Sequence, residues 1–372
     1  MTIIISILAL GVLIFVHELG HFLLAKFNRV GVVEFAIGFG KPIWQKRIGE
    51  TNYSLRLIPL GGYVRMVGDD LRLLDDEELR EEFRKEHGEL DEDRWFLAKG
   101  YWSKFSIVLA GPAFNIIFAL MLAFGSFYIF GKPILTNQPV LGGVIPDYPA
   151  DQAGLLSGDR IVSIDGKAIG SWQELAESIG SSAGEEVELE VLRSTSDGEI
   201  ENLNLTLKGT SEIAELELIE GKSEVQRFKI GIFPETERVG IGITESLLLS
   251  GYQVWSITDL TFRGLYGMIS GFISPKNIAG PIYIFQAGAE AAQSGADRLI
   301  DFMIFLSVSL AILNLLPIPI LDGGHLLIFT IEALKGGRLN IKIVEKANMV
   351  GLALLLLLMV YAVGNDVMRL FS

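Results

Sequence analysis

The sequence has no cysteine at all. That removes disulfide frameworks, thiolate zinc sites and thiol nucleophiles from consideration. Histidine is nearly as scarce, with four in 372 residues. Any metal or acid–base chemistry must therefore be built from those imidazoles together with Asp and Glu. Basic charge is in deficit as well: 31 Lys and Arg stand against 45 Asp and Glu, a net charge of -14. No basic surface could offset that repulsion, which excludes nucleic acid as a partner. What the chain has in excess is apolar residues, half of its length. Its mean hydropathy of +0.41 is too apolar for an ordinary soluble domain and points to several membrane spans.

Thr2 to Ala25 is an apolar run long enough to cross a hydrocarbon core of roughly 30 Å. It opens without the basic segment of a signal peptide and contains His17, Glu18 and His21, so it reads as a retained span. Further apolar stretches at Phe105 to Gly131, Met303 to Leu321 and Ala347 to Gly364 bring the expected number of crossings to about four. Lys26, Arg29, Lys41, Lys46, Arg47 and Arg56 follow the first span, and Lys335, Arg338, Lys342 and Lys346 fill the last link. The positive-inside rule makes both segments cytoplasmic and puts the central region on the other side.

Between the first two spans, residues 32–67 are rich in β-branched and aromatic residues and punctuated by Gly and Pro. That pattern predicts β-hairpins in contact with membrane or protein, with Gly61 and Gly62 at a turn. The charged stretch from Asp69 to Arg94 reads as a solvated helix. Residues 140–208 alternate short apolar strands with turns, with helical patches at Ala150 to Leu155 and Ser171 to Ile179, which predicts a small α+β domain. Thr210 to Gln226 reads as an exposed linker, and Glu245 to Phe272, interrupted by glycines, as an interfacial helix rather than a fifth span.

The chemistry-bearing motif is His17-Glu18-Leu19-Gly20-His21. The i, i+4 spacing on a helix puts both imidazoles on one face, one turn apart, so both reach a single metal ion. Glu18 beside them is placed as a general base for water activated by that metal. Three polar residues inside an apolar span are costly unless they pair or bind something. A catalytic zinc takes a third protein ligand and keeps an open position. His87 lies in the acidic stretch and reads as a solvated residue, whereas Asp322 and His325 close the third span. In the topology above Asp322 shares a depth with His21, while His325 reads as orienting a neighbour or packing. Pro317 and Pro319 break the helix there, and open backbone at membrane depth survives where it lines a cavity. Asn314 offers that cavity a donor for a carbonyl oxygen, or else a helix-packing hydrogen bond.

With HELGH in the first span and NLLPIPILDGG from Asn314, the chain resembles the site-2 protease family of intramembrane metalloproteases. It is most similar to the bacterial sigma-E-pathway (RseP-like) branch. GFGKPIWQ, PLGGYVRMVGD, AGPAFN and AGPIYI occur in the matching order along nearly the whole chain. The resemblance implies one Zn2+ per chain held by His17, His21 and Asp322, with Glu18 as general base and Asn314 helping to hold substrate. It also implies that the Pro59 to Val67 segment, through Gly61 and Gly62, pairs with an unwound substrate strand. The central domain resembles a circularly permuted PDZ domain through Leu141-Gly142-Gly143-Val144, Pro149-Ala150, Ala153-Gly154-Leu155 and Gly158-Asp159-Arg160-Ile161. A peptide would then be captured at Leu141, Gly142, Gly143 and Val144, or the domain would act as a size filter. Here the chain departs from the best-known proteobacterial members, which carry two tandem PDZ domains.

The expected fold is thus a polytopic α-helical membrane protein with a membrane-associated β-hairpin region and one extracytoplasmic PDZ-like α+β domain. The expected divisions fall at 1–131, 132–210, 211–300 and 301–372. The expected activity is intramembrane peptide-bond hydrolysis in a bacterial inner membrane. Its partners are the lipid bilayer and single-span membrane proteins pre-cleaved by a site-1 protease, such as an anti-sigma factor, or signal-peptide remnants. A non-catalytic PDZ scaffold and a metal transporter using the same residues are the competing readings.

Overall fold

The computed structural model describes residues 2–70, 77–87, 91–182, 185–194, 198–218, 221–274 and 278–370. The chain forms two compact units, Met1–Ile129 with Gly242–Ser372, and Phe130–Ile241.

The first unit opens with helix α1, Thr2–Phe27. Apolar residues surround it on every side, as suits a helix in lipid or deep in a bundle. Strands β1, Val32–Ile48, and β2, Thr51–Met66, follow. They do not form a simple hairpin. Glu34 lies opposite both Arg65 and Asn52, Phe35 opposite both Val64 and Tyr53, and Ile37 opposite both Gly62 and Leu55. The result is a folded sheet of four segments in the order 61–66, 32–37, 51–56 and 42–48. The tight turn is at Gly49 (φ 62) and Glu50, whose carboxylate is held by Lys26 and Arg94 at 2.6 Å each. Residues 52–55 run parallel to 34–37 while 62–65 run antiparallel to them, so the chain also reverses between Leu55 and Gly62, with Gly61 (φ 134) at the end of that reversal and Gly62 paired with Ile37.

Helix α2, Glu77–His87, covers part of the charged stretch; residues 71–76 and 88–90 of that stretch lie outside the described residues. Phe83 of α2, Trp95 and Val67 make a small core beside the sheet. Helix α3, Tyr101–Phe130, then runs 30 residues with Pro112 inside it, about 45 Å at 1.5 Å per residue.

The second unit contains β3 (Lys132–Leu135), β4 (Leu141–Val144), α4 (Pro149–Gln152), β5 (Arg160–Ile164), β6 (Lys167–Ala168), α5 (Trp172–Ser181), β7 (Glu186–Ser194) and β8 (Ile200–Lys208). It continues with β9 (Thr210–Leu218), β10 (Gly221–Lys229), β11 (Ile232–Pro234) and β12 (Thr236–Val239). Strands β6, β5, β7 and β8 form an antiparallel sheet in that order. Val187, Leu189 and Val191 alternate inward along β7 and meet Leu175 and Ile179 of α5 in one core. Arg193 grips Asp159 with two 2.7 Å bonds, fixing the turn before β5. The expected domain boundary at 210 falls short, because β11 pairs with β4 and β12 with β3, which closes the unit at its far end. The stretch from Thr210 is not a linker: β9 and β10 form a hairpin.

The chain returns to the first unit with α6 (Ile243–Ile269), α7 (Pro281–Ser294), α8 (Ala296–Asn314), α9 (Asp322–Lys335) and α10 (Ile341–Leu370). Among the described residues, three helices are long and apolar enough to cross a membrane: Ile4–Phe27, Tyr101–Phe130 and Ile341–Arg369. Helix α8 is not among them, because Asp297, Arg298 and Asp301 occupy its first turns. Nor is the stretch to Leu321 one helix, since α8 ends at Asn314. Helix α6 packs Val254 against Ile304 and Val308 of α8 and Ala119 and Ala123 of α3. Helix α7 leans on α1, where a β-carbon on Gly288 would stand 2.2 Å from Ser6 Oγ. Its first turn is capped by Asp366 of α10, which accepts from the Gly280 and Tyr283 amides at 2.9 and 3.1 Å.

Candidate metal centre

One turn of α1 separates His17 from His21, and their rings stand edge to face with centroids 4.8 Å apart. Their Nε2 atoms are 3.3 Å apart. Both rings are buried, 8 % exposed, because α3 crosses α1 with almost no side chain between them. A β-carbon on Gly20 would stand 2.4 Å from the Ala110 carbonyl oxygen, and one on Gly111 2.3 Å from His21 Nε2. Small residues at a helix crossing permit this approach, so the glycine inside HELGH and the one in AGPAFN act on the same contact.

Asp322 arrives from the opposite side at the start of α9. After α8 ends, the missing donors of Pro317 and Pro319 keep the helix from resuming. Ile320 takes φ 81, a rare conformation for a β-branched residue. The loop then folds back onto the first turn of α9. A β-carbon on Gly323 would meet the Leu315 and Leu316 carbonyls at 2.2 and 2.4 Å, and one on Gly324 the Ile318 carbonyl at 2.3 Å. The pair of glycines after Asp322 is thus required by backbone packing. Further along, α9 is tied to α3 by Lys104 and Glu332 at 3.6 Å, and by Tyr101 and Thr330 at 3.3 Å.

The result brings Asp322 Oδ2 to 3.2 Å from His17 Nε2 and 3.5 Å from His21 Nε2. Oδ2 is buried and takes part in no hydrogen bond. His21 Nδ1 donates to the Ile107 carbonyl at 2.8 Å; since a carbonyl only accepts, the neutral ring offers a lone pair at Nε2. Two imidazole nitrogens and a carboxylate oxygen, all within 4.8 Å of one another, repel unless a cation or proton sits among them. Two nitrogens and one oxygen are also a donor set that zinc takes, with a position left open. The residues fit a zinc ion.

Glu18 lines a cavity of about 520 Å³ together with His21, Asp322, His325, Val64 and Lys104. The Val64 amide reaches its carboxylate, and Gly62 lies against its side chain, where a β-carbon would stand 3.1 Å from Glu18 Cγ. Gly61 (φ 134) instead makes room for the Phe39 ring. Asn314 Nδ2 is 3.5 Å from His17 Nε2. His325 faces the cavity beside Phe329 and is not one of the three clustered donors. The side chain of His87 lies outside the described residues.

Leu141, Gly142, Gly143 and Val144 belong to the second unit. Their strand pairs with β11 on one side. On the other, the Leu141 amide donates to Asp159, its carbonyl accepts from Gly158, and the Gly142 carbonyl accepts from Ser157. Three contributors escaped the sequence reading: Ile107, Gly111 and Asn115. Gly111 and Asn115 are themselves four residues apart in an apolar helix, the same spacing that singled out the histidines, and that was the available signal.

The profile of peptidase family M50 matches residues 5–358. A Clostridium acetobutylicum protein provisionally named a zinc metalloprotease is 33 % identical over 371 residues, covering 98 % of this chain and 97 % of that protein. Zinc metalloprotease RasP of Bacillus licheniformis is 31 % identical over 436 aligned positions, covering 100 % of this chain and 99 % of that protein. Regulator of sigma-W protease RasP of Bacillus subtilis is 30 % identical over 436 positions, with the same coverage.

Proposed function

The chain belongs to peptidase family M50 and is a membrane zinc metalloendopeptidase; on that premise we propose that it hydrolyses peptide bonds within or near the transmembrane segment of single-span membrane proteins. The convergence of His17 Nε2, His21 Nε2 and Asp322 Oδ2 carries this proposal, and we assign those atoms as the zinc ligands. Zinc held there supplies Lewis acidity, drawing the pKa of water towards neutrality and polarising a carbonyl. Glu18 takes the proton of the attacking water and passes it to the nitrogen of the departing amine. Asn314, whose amide already reaches the ligand cluster, donates to the substrate carbonyl oxygen and holds it against the site.

A transmembrane helix satisfies its own backbone, so the scissile segment must be unwound and its freed groups re-paired. The segment from Gly61 to Met66 ends the sheet order next to Glu18, and Val64 and Met66 border the cavity. We assign this edge, with Gly61 and Gly62, to pairing with the unwound strand. The Bacillus relative is named for regulating sigma-W. A membrane anti-sigma factor trimmed by a prior protease is the corresponding substrate class here, with signal-peptide remnants as a second. By the positive-inside rule, the Lys- and Arg-bearing segment from Arg29 to Arg56 favours a site near the cytoplasmic face of a bacterial inner membrane, with the unit Phe130–Ile241, PDZ-like in sequence, outside.

The test compares wild type with Glu18→Gln on a model single-span substrate, with zinc measured in both. Removing the base is expected to slow cleavage by about 10²–10⁴-fold while zinc stays bound. Equal turnover in the two would refute the role of Glu18, and no turnover in either would leave a scaffold.

A further inference from the structure

Helices α1 and α3 face one another with two pairs of residues, each pair one turn apart. His21 meets Gly111. His17 meets Asn115, whose side-chain amide is 3.2 Å from His17 Nδ1. Asn115 is 0 % exposed, and its backbone carbonyl accepts from Ser307 of α8 at 2.8 Å. Nothing in the reaction above uses its side chain.

For His17 to offer a lone pair at Nε2, its ring proton must sit on Nδ1, and in a dry helix crossing that N–H needs an acceptor. His21 has one in the Ile107 carbonyl. On His17 the facing group is the Asn115 amide. With Nδ2 turned towards the ring, Asn115 Oδ1 is buried without a partner, a costly arrangement. The two ends of an amide have nearly the same shape. Rotating it by half a turn puts Oδ1 on the His17 Nδ1–H, so the buried acceptor gains a donor, while Nδ2 takes the place where Oδ1 stood. A fully buried amide on a lipid-crossing helix would otherwise be an unrewarded cost.

We propose that Asn115 is a positioning residue for the metal centre: its Oδ1 accepts the His17 Nδ1–H and fixes the tautomer and ring plane in which Nε2 faces His21 and Asp322. This rests on the assignment of His17 as a zinc ligand made above. The role parallels that of the Ile107 carbonyl on His21, with one difference. A backbone carbonyl survives any substitution, whereas the amide can be removed.

Zinc affinity of the detergent-solubilised full chain, read by competition with a chromogenic chelator, tests it in wild type, Asn115→Leu, Asn115→Asp and Ser307→Ala, with Tm measured alongside. Asn115→Leu keeps the volume and removes the acceptor, and is expected to weaken zinc binding about 10–100-fold. Asn115→Asp restores an acceptor at the same reach and is expected to recover most of that loss. Ser307→Ala cuts the tie between α3 and α8 and is expected to lower Tm with zinc affinity unchanged. Should Asn115→Leu fail to fold, Asn115→Ala removes the same acceptor and is read the same way. Wild-type affinity in the Leu or Ala variant, or no recovery in a folded Asp variant, overturns the proposal alone. A wild-type chain that binds no zinc overturns the ligand assignment and this inference with it.

Discussion

A β-carbon on Gly111 would stand 2.3 Å from His21 Nε2 and 2.8 Å from His17 Cε1, so one methyl group there displaces both imidazoles. Gly111→Ala is expected to lower zinc affinity by at least about tenfold, the order seen when a supporting contact to a ligand is lost. Its helical content should be unchanged, since Ala is the better helix former. Chelator competition and far-UV circular dichroism on the same sample check both halves. Gly323 is a different case, because its neighbours are the Leu315 and Leu316 carbonyls rather than side chains. Backbone cannot step aside without unwinding the loop. Gly323→Ala should therefore move Asp322 out of reach and lose bound zinc, which metal analysis of the purified protein would show. At this scale the sequence was legible where a residue type and its spacing alone specify chemistry, as at His17, Glu18 and His21. It fell short where the role of a residue depends on a neighbour on another helix, as at Asn115, whose spacing from Gly111 is visible but whose facing histidine is not.

Helix α9 carries Asp322 at its first turn and is clipped to α3 by a buried ion pair. Lys104, 8 % exposed, faces Glu332 at 3.6 Å and lies 4.6 Å over the Phe329 ring. Removing one partner of a buried pair leaves the other uncompensated. Lys104→Met should destabilise the chain by about 3–5 kcal/mol, and combining it with Glu332→Gln should recover a large part, as a double-mutant cycle in thermal unfolding would reveal. The sheet next to Glu18 responds to pH through Glu34. Burial pushes this carboxyl up, but hydrogen bonds from Arg56, Tyr63 and Ser54 outweigh it and hold the group below its ordinary value. A carboxyl depressed in the folded state gives stability that is full above its unfolded pKa and is lost as pH falls through the folded one. Amide protection in residues 61–66 is accordingly expected to fall as pH drops below about 4.3, the ordinary Glu value, and Glu34→Gln should flatten that dependence. Hydrogen exchange across the acid range is the check. The pattern of 32–67 announced strands, but not their pairing. One strand bonded along both edges leaves the same local alternation as an open hairpin, so the reversal ending at Gly61 and Gly62 was legible, while the turn at Gly49 and Glu50 and the strand lying between the two arms were not.

Taken whole, the molecule divides its tasks between two units, and among the described residues the clustered metal donors come from the one formed by Met1–Ile129 and Gly242–Ser372. The segment Phe130–Ile241 has its own core and is expected to unfold cooperatively when produced alone and to bind no zinc; calorimetry with and without the ion would test both. Its extent was misjudged from sequence because the closing strands, β11 and β12, are only three and four residues long and follow a polar stretch. They become visible only through their pairing with β4 and β3. By itself the sequence determined the apolar runs of α1, α3 and α10, the absence of thiol chemistry and the helical pair His17 and His21 with Glu18, because hydropathy and i, i+4 spacing act within one segment. Only the tertiary structure decided that Asp322 Oδ2 stands 3.2 and 3.5 Å from the two histidines while His325 does not join them. It also decided that Gly20 and Gly111 set the distance between α1 and α3. Those facts depend on where two helices cross, and a crossing is fixed by packing between segments about a hundred and about three hundred residues apart, beyond the reach of any local pattern.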